Sequence, residues 1–245
     1  LMSTASYDAL LDLFRDRGSA LVAYSGGVDS TLLAKAAADA LGEPAVAVTA
    51  VSASLAPAEL DEARALAERI GNSHLLERSD ETSMPQYLAT DVERCYHCKT
   101  ELYSICERIA SERDLNVIVN GLNTDDLSDH RPGNRAADEA GVRSPFVELG
   151  FDKRAIREQS RRLDLPTADK PELACLASRF PHGTAITPER LARIEASEQT
   201  LRDLGLTGFR VRFHDEIARI ELPLSELARL IEPQTRERVV GALKA

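Results

Sequence analysis

With 245 residues, 43% hydrophobic and 29% charged, the sequence has the makeup of a globular protein that can bury one large core and a small second unit. A net charge of −10 and an isoelectric point near 5.1 argue against a protein that grips nucleic-acid backbone over a wide surface, so no nucleic-acid partner is expected. No apolar run approaches a membrane span and the N-terminus lacks the basic-then-apolar layout of a signal peptide, which makes a cytoplasmic protein with no membrane partner the default expectation. Leu1 ahead of Met2 reads as an added residue and is set aside.

Taken in chain order, Tyr7 to Arg17 alternates as an amphipathic helix and leads into an apolar strand, Leu21-Val22-Ala23-Tyr24. Ser25-Gly26-Gly27-Val28-Asp29-Ser30-Thr31 follows, a glycine-centred turn running into a helix that stops at Gly42. Ala45 to Ala50 reads as a second strand, and Pro57 to Ile70 as a helix with proline at its start. A short strand near His74-Leu75-Leu76 precedes a polar loop to Met84, and Cys98 to Arg113 has helical spacing with Leu102, Ile105 and Ile109 on one face. Asn116 to Asn120 is a buried strand ending at Gly121, and Lys153 to Leu163 is a helix stopped before Pro166. Strands alternating with helices predict an α/β fold, a parallel sheet with helices on both faces, over residues 2–169. In such a sheet the loops at Ser25, Ala50 and Gly121 converge at the carboxyl ends of the strands. Beyond, a long helix from Pro188 to Leu204, strands at Phe209–His214 and Ile217–Leu222 and short closing helices predict a small α+β domain over residues 170–245, for substrate binding or oligomerisation.

The turn after the first strand reads as an anion cradle. Glycines let backbone N–H groups crowd against phosphate oxygens, and the helix dipole favours the negative charge. Ser25, Ser30 and Thr31 add hydroxyls, and Asp29 is a candidate to hold a phosphate-bound Mg²⁺. The lysine that follows the last glycine of a Walker-type loop is missing, which excludes a kinase or GTPase loop. Lysine is scarce (Lys35, Lys99, Lys153, Lys170 and Lys244), which draws attention to Lys99 and Lys170 beside motifs. Cys95 and Cys98 form a C-x-x-C pair with Cys175 distant, a pattern for a metal, cluster or redox site, whereas Cys106 falls near the apolar side of its helix as a small hydrophobe.

The loop Ser25-Gly26-Gly27-Val28-Asp29-Ser30 resembles that of the ATP pyrophosphatase (PP-loop) superfamily, whose Rossmann-like members cleave ATP between the α- and β-phosphates. Three further stretches narrow the resemblance: Arg94 to Leu102, Gly121 to Pro145, and Lys170-Pro171-Glu172-Leu173-Ala174-Cys175-Leu176-Ala177-Ser178-Arg179 through Gly183. Together they are similar to the LarE-like sulfur transferases that help build a nickel-pincer nucleotide cofactor. The resemblance implies that ATP adenylates a carboxylate of a pyridinium-3,5-biscarboxylic acid mononucleotide and that sulfur then displaces AMP. Of the family's two versions, one sacrifices the cysteine matching Cys175. The other holds a 4Fe-4S cluster on cysteines matching Cys95, Cys98 and Cys175, and the presence of all three favours it here. A zinc site from Cys95, Cys98, His97 and Cys175 stays open as an alternative.

Lys99 and Arg179 are candidates to favour a thiolate. Arg210 and Arg212 alternate with apolar residues, a solvated face on plain reading and a substrate-phosphate clamp by the resemblance, with Glu198 and Glu221 matching acidic positions of that site. Asp125 and Asp126 are placed for Mg²⁺ or ATP, with a helix cap or turn as the plain alternative. The expected cofactors are therefore ATP, Mg²⁺ and a 4Fe-4S cluster, and the expected partners a small-molecule mononucleotide and further copies of the chain in a homo-oligomer. Rival readings are a tRNA-thiolating PP-loop protein, an ammonia-using PP-loop synthetase and a nucleotide-binding subunit without catalysis. Chains of the LarE-like group usually continue past Gly241 into a closing strand, and this sequence stops at Ala245.

Overall fold

The computed structural model describes residues 6–89, 92–128, 132–172 and 174–244; Arg131 and Leu173, which belong to the quoted motifs, lie outside them. In chain order the elements are α1 (Tyr7–Arg17), β1 (Ala20–Ala23), α2 (Val28–Leu41), β2 (Ala45–Val51), α3 (Pro57–Ile70), β3 (Ser73–Arg78), α4 (Pro85–Leu88), α5 (Arg94–Glu112), β4 (Ile118–Val119), α6 (Pro132–Glu139), α7 (Pro145–Glu148), α8 (Lys153–Arg162), α9 (Pro188–Asp203), β5 (Arg210–His214), β6 (Ile217–Glu221), α10 (Leu224–Ile231) and α11 (Pro233–Lys244). They form two compact units: Leu1–Ser52, Pro57–Glu81 and Val92–Leu173 in the first, and Ala53–Ala56, Thr82–Asp91 and Ala174–Ala245 in the second.

The first unit is an α/β layer structure with a parallel sheet in the order β3-β2-β1-β4. Side chains alternate across a strand, so each strand feeds two layers. Ala20 and Val22 of β1 with Ala45 and Ala47 of β2 pack against Leu10 and Phe14 of α1, Leu32 and Leu33 of α2, and Ile156 of α8. Leu21, Val46 and Val48 point the other way, onto Ile105, Cys106, Ile109 and Ala110 of α5. Helices therefore cover both faces, as the strand–helix alternation predicts. The chain runs from β1 outward to β2 and β3, then returns to place β4 on the other side of β1. Strand order reverses there, and the carboxyl ends of β1 and β4 flank the crevice.

Helix boundaries follow local chemistry. Ser6 caps α1 by accepting from Ala9 N–H at 3.1 Å, and Asp152 caps α8 by accepting from Ala155 N–H at 2.7 Å. α5 starts at Arg94, a turn earlier than the apolar spacing predicts, because Arg94 to His97 carry no apolar face to signal it. β4 is only two residues long, shorter than its apolar run, and Val119 is bridged to Arg143 on its outer side. α4, α6 and α7 were not expected; each opens on a proline, a good first helical residue that also reads as a loop signal.

The second unit packs α9 against the β5–β6 hairpin and a 3₁₀ turn, Leu176–Arg179. Val211 and Phe213 face inward, and the Phe213 ring lies 5.1 Å from that of Phe180. At the centre sits a buried ion pair. Arg179 donates from Nε to Glu198 Oε1 at 2.8 Å and from Nη2 to Oε2 at 3.2 Å, and Val211 N–H donates to the same Oε1 at 3.0 Å. Both side chains are about 95% covered, at 6% and 4% exposure, so removing one partner strands a charge. Glu198→Ala is expected to destabilise this unit by about 3–5 kcal/mol, read as an early second transition in a denaturant melt.

Candidate functional site

Parallel register brings the ends of β1, β2 and β4 level. Val22 pairs with Val119 and Ala23 with Val48, so Ser25, Ala50 and Gly121 leave the sheet along one edge. Ala50, next to last in β2, is half-buried against the α5 layer. Thr49 donates from Oγ1 to Tyr24 O at 2.8 Å and fixes the strand end from which the loop departs.

The two loop glycines have different reasons to be glycine. Gly26 has φ +70°, and a Cβ there would sit 2.9 Å from Ala63 Cβ on α3. Its constraint is steric and internal. Gly27, at φ −79°, caps α2 with no side-chain hydrogen bond. A Cβ on Gly27 would meet only Ser25 Oγ, at 3.4 Å, so the space in front of the helix amides is open. Gly121 closes the other wall, where a Cβ would lie 3.0 Å from Asp29 Cβ and 3.1 Å from Ser30 N. The hydroxyls are tied into the loop: Ser25 Oγ and Ser30 Oγ are 3.1 Å apart, and Ser25 N–H donates to Ser30 Oγ at 3.2 Å.

Asp29 is engaged by Lys153, the first residue of α8, whose Nζ donates to both carboxylate oxygens at 2.9 and 2.7 Å. Lys153 also reaches Glu172 Oε1 at 3.2 Å. Burial pushes the Asp29 carboxyl up against the pull of Lys153, and the nearby charge of Asp126 adds to the rise. Burial alone would lower the Lys153 ammonium, but its bonds to Asp29 and Glu172 hold it above the usual lysine range. Lys170 sits behind the loop, donating from Nζ to Gly26 O at 3.3 Å, Glu59 Oε2 at 3.0 Å and Glu62 Oε2 at 2.8 Å. Asp126 Oδ2 accepts from Asn123 N–H within the turn at 3.2 Å, whereas Asp125 Oδ2 reaches across 28 positions to accept from Lys153 N–H at 2.9 Å at the start of α8. Asp126 also faces Asp29 closely enough for its charge to be felt.

On α5, Cys95, Cys98, Lys99, Leu102 and Cys106 fall three and four residues apart along one stripe. Cys95 is exposed, Cys98 half-buried and Cys106 buried in the core, and none of the cysteines is in a disulfide. Burial pushes the Cys106 thiol up to about 12, as suits a small hydrophobe. Lys99 lies half-buried among these groups, its Nζ 5.9 Å from the Tyr103 ring centre. Desolvation would lower its ammonium, but the charges of Tyr103, Cys98, Cys106 and Cys95 outweigh burial and raise it. Tyr103 in turn accepts from Asn120 Nδ2 at 3.2 Å, linking this stripe to the end of β4 beside Gly121.

Cys175 belongs to the second unit, where it is exposed at the head of the 3₁₀ turn. Arg179 grips that turn from beneath, with Nη1 donating to Ala174 O at 2.9 Å and Ser178 Oγ at 3.0 Å. Glu198 neutralises its charge, so within this unit Arg179 positions the Cys175 backbone. Arg212 donates from Nε to Glu221 Oε2 at 3.0 Å and from Nη1 to Ser178 O at 3.1 Å. Arg212 and then Arg219 hold the Glu221 carboxyl below the usual carboxylate range. Arg210 shares the outward face of β5, and among the described residues its guanidinium has no hydrogen bond or ion pair.

No family model matches the chain. It is 46% identical over 94% of its length to an uncharacterised protein of Synechocystis, spanning 86% of that protein. It is 38% identical over 87% of its length to pyridinium-3,5-bisthiocarboxylic acid mononucleotide synthase of Lactiplantibacillus plantarum, spanning 78% of that enzyme. The chain belongs to this synthase family. A protein of Methanocaldococcus jannaschii is 33% identical over 62% of the chain and spans 58% of that relative.

Among the described residues of this family member, no helix is long and apolar enough to cross a membrane. Lys153 is the site residue that sequence reasoning missed. It was read only as a helix start, although lysine scarcity flagged it as readily as Lys99 and Lys170. A shallow open depression lined by Gly18, Glu43, Pro44 and Arg113 lies at the opposite, amino ends of the strands and gathers no such chemistry. The glycines of the family loop make a paired prediction. Gly26→Ala is expected to cost about 2–3 kcal/mol of stability through strain and the Ala63 contact. Gly27→Val, whose Cβ meets only Ser25 Oγ, is expected to cost only about 1 kcal/mol of stability, as thermal melts of the two variants will show.

Proposed function

We propose that the chain is an ATP-dependent sulfur transferase, which adenylates the carboxylates of pyridinium-3,5-biscarboxylic acid mononucleotide and converts them to thiocarboxylates in nickel-pincer cofactor synthesis. The observation that carries this reading is the open glycine cradle at Gly27, at the carboxyl end of β1, in a chain of the bisthiocarboxylate synthase family. The PP-loop resemblance of that cradle supports ATP as the activating substrate, with Asp29 and Asp126 supplying carboxylates for its Mg²⁺.

In the first step a substrate carboxylate oxygen attacks the α-phosphorus of ATP. The bond from that phosphorus to the bridging oxygen breaks, and pyrophosphate leaves with the electron pair. The α2 amides neutralise phosphate charge as it shifts, at no cost of reorganisation. In the second step a sulfur nucleophile attacks the activated carbonyl carbon, and AMP leaves with the electrons of the C–O bond. Arg210 is the guanidinium open to the mononucleotide phosphate, while Arg212 braces the turn that carries Cys175.

Soft thiolates suit iron–sulfur chemistry, and Cys95, Cys98 and Cys175 would hold a 4Fe-4S cluster, which supplies a transferable sulfide when bound. Cys95 and Cys98 fit this use: they lie in the first turns of α5, at the end of the stripe where exposure rises, while Cys106 further along is buried in the core.

Incubation with ATP, Mg²⁺ and the biscarboxylate mononucleotide is expected to release AMP and pyrophosphate; release of ADP and phosphate would refute adenylation. Anaerobic reconstitution with iron and sulfide is expected to give brown protein capable of several transfers. Cys95→Ser and Cys98→Ser should lose both properties, and Cys106→Ser should keep them. A single transfer with loss of one sulfur from the Cys175 peptide, indifferent to Cys95 and Cys98, would replace the cluster by a sacrificial cysteine.

A further inference from the structure

The phosphate loop lacks the lysine that a Walker-type loop carries after its last glycine, yet the fold brings a lysine to the same place from 124 residues further along the chain. Lys153 Nζ lies 2.7 and 2.9 Å from the two oxygens of Asp29, the second residue of α2. Lys35 is committed to Asp39 at 2.5 Å, on the outer part of α2, and Lys170 to Glu59, Glu62 and the Gly26 carbonyl. Lys153 is the lysine whose main partner is itself a side chain of the cradle.

Its backbone is pinned, while its side chain is held through its ion pairs with Asp29 and Glu172. Lys153 N–H donates to Asp125 Oδ2 at 2.9 Å, and Asp152 caps the helix that Lys153 begins. The stem carries four rotatable carbons, and the side chain keeps 21% exposure, so the ammonium is free to turn about a pinned Cα. The charge count around it favours such an exchange. Asp29 and Glu172 share the one ammonium, and Asp29 also feels the charge of Asp126, a repulsion that a divalent cation on Asp29 would relieve. A triphosphate arriving with its cation offers both halves of the exchange: the cation replaces the ammonium on Asp29, and the phosphates take the ammonium.

We propose that Lys153 is the lysine of this phosphate loop, held on Asp29 in the nucleotide-free protein and transferred to the triphosphate when the divalent cation takes its place. The inference rests on the nucleotide reading above and adds a phosphate-binding residue to it.

Calorimetric titration with ATP, in Mg²⁺ and in excess chelator, tests it. Lys153→Met is expected to weaken ATP binding about 10- to 100-fold in Mg²⁺, the usual loss for a charge-assisted phosphate contact, and by less in chelator, where the ammonium stays on Asp29. Lys153→Arg is expected to recover most of that loss. Asp29→Asn releases the lysine and is expected to tighten Mg²⁺-free ATP binding several-fold, a gain that Asp29→Asn/Lys153→Met loses. The double variant removes both charges of the Asp29–Lys153 pair and strips the ammonium only from the solvent-exposed Glu172, so this arm remains readable even if Lys153→Met alone melts early. Wild-type affinity in Lys153→Met, or equal Mg²⁺-free affinity in Asp29→Asn and the double variant, would reduce Lys153 to a counter-ion and overturn the inference alone. Absence of ATP binding by the wild-type protein would overturn the nucleotide reading and this inference with it.

Discussion

An α-helix leaves its first amide groups without partners, and at α2 the chain declines to supply them from its own side chains. The first unit is arranged around that deficit. β1 delivers the loop to the sheet edge, the reversal of strand order opens the crevice, and Gly121 lets the β4 wall approach so closely that a Cβ there would lie 3.1 Å from Ser30 N. Alanines on β1 and β2 let α2 settle close on one face of the sheet while α5 covers the other. Two helical layers thus part where the amides point.

Much of this was legible in the sequence because its causes are local. The helices over Tyr7–Arg17 and Pro57–Ile70 have the predicted ends, set by Gly18 and Gly71 just beyond them and by Ser6 and Pro57 at their starts. The loop was legible because glycine marks it twice, although sequence did not separate Gly26, which must avoid Ala63, from Gly27, which must leave space. What stayed hidden depends on contacts between distant residues. Lys153 meets Asp29 across 124 positions, and Asp125 binds the backbone of Lys153 across 28. No periodicity records either pairing.

Charge in the second unit behaves in the same way. Read in sequence, Arg179 is a cation beside a cysteine and Glu198 an acid of a substrate site; in the fold they spend their charges on each other. A buried bidentate pair of this kind specifies geometry more than it adds stability. Arg210 and Arg212, identical in the strand pattern, divide as well: Arg212 is bound to Glu221 and Ser178, and Arg210 remains open.

The turn bearing Cys175 has a property that follows from how it is fastened. Leu176 N–H donates to Ser54 O, Ser178 N–H to Cys175 O, and Arg179 to the carbonyl of Ala174, so these bonds run through backbone. None of these three bonds uses the Cys175 thiol. Alkylation, oxidation, ligation or loss of that sulfur breaks none of them, and the Arg179 that grips the turn keeps its hold on Glu198, which Val211 ties to the arginine strand.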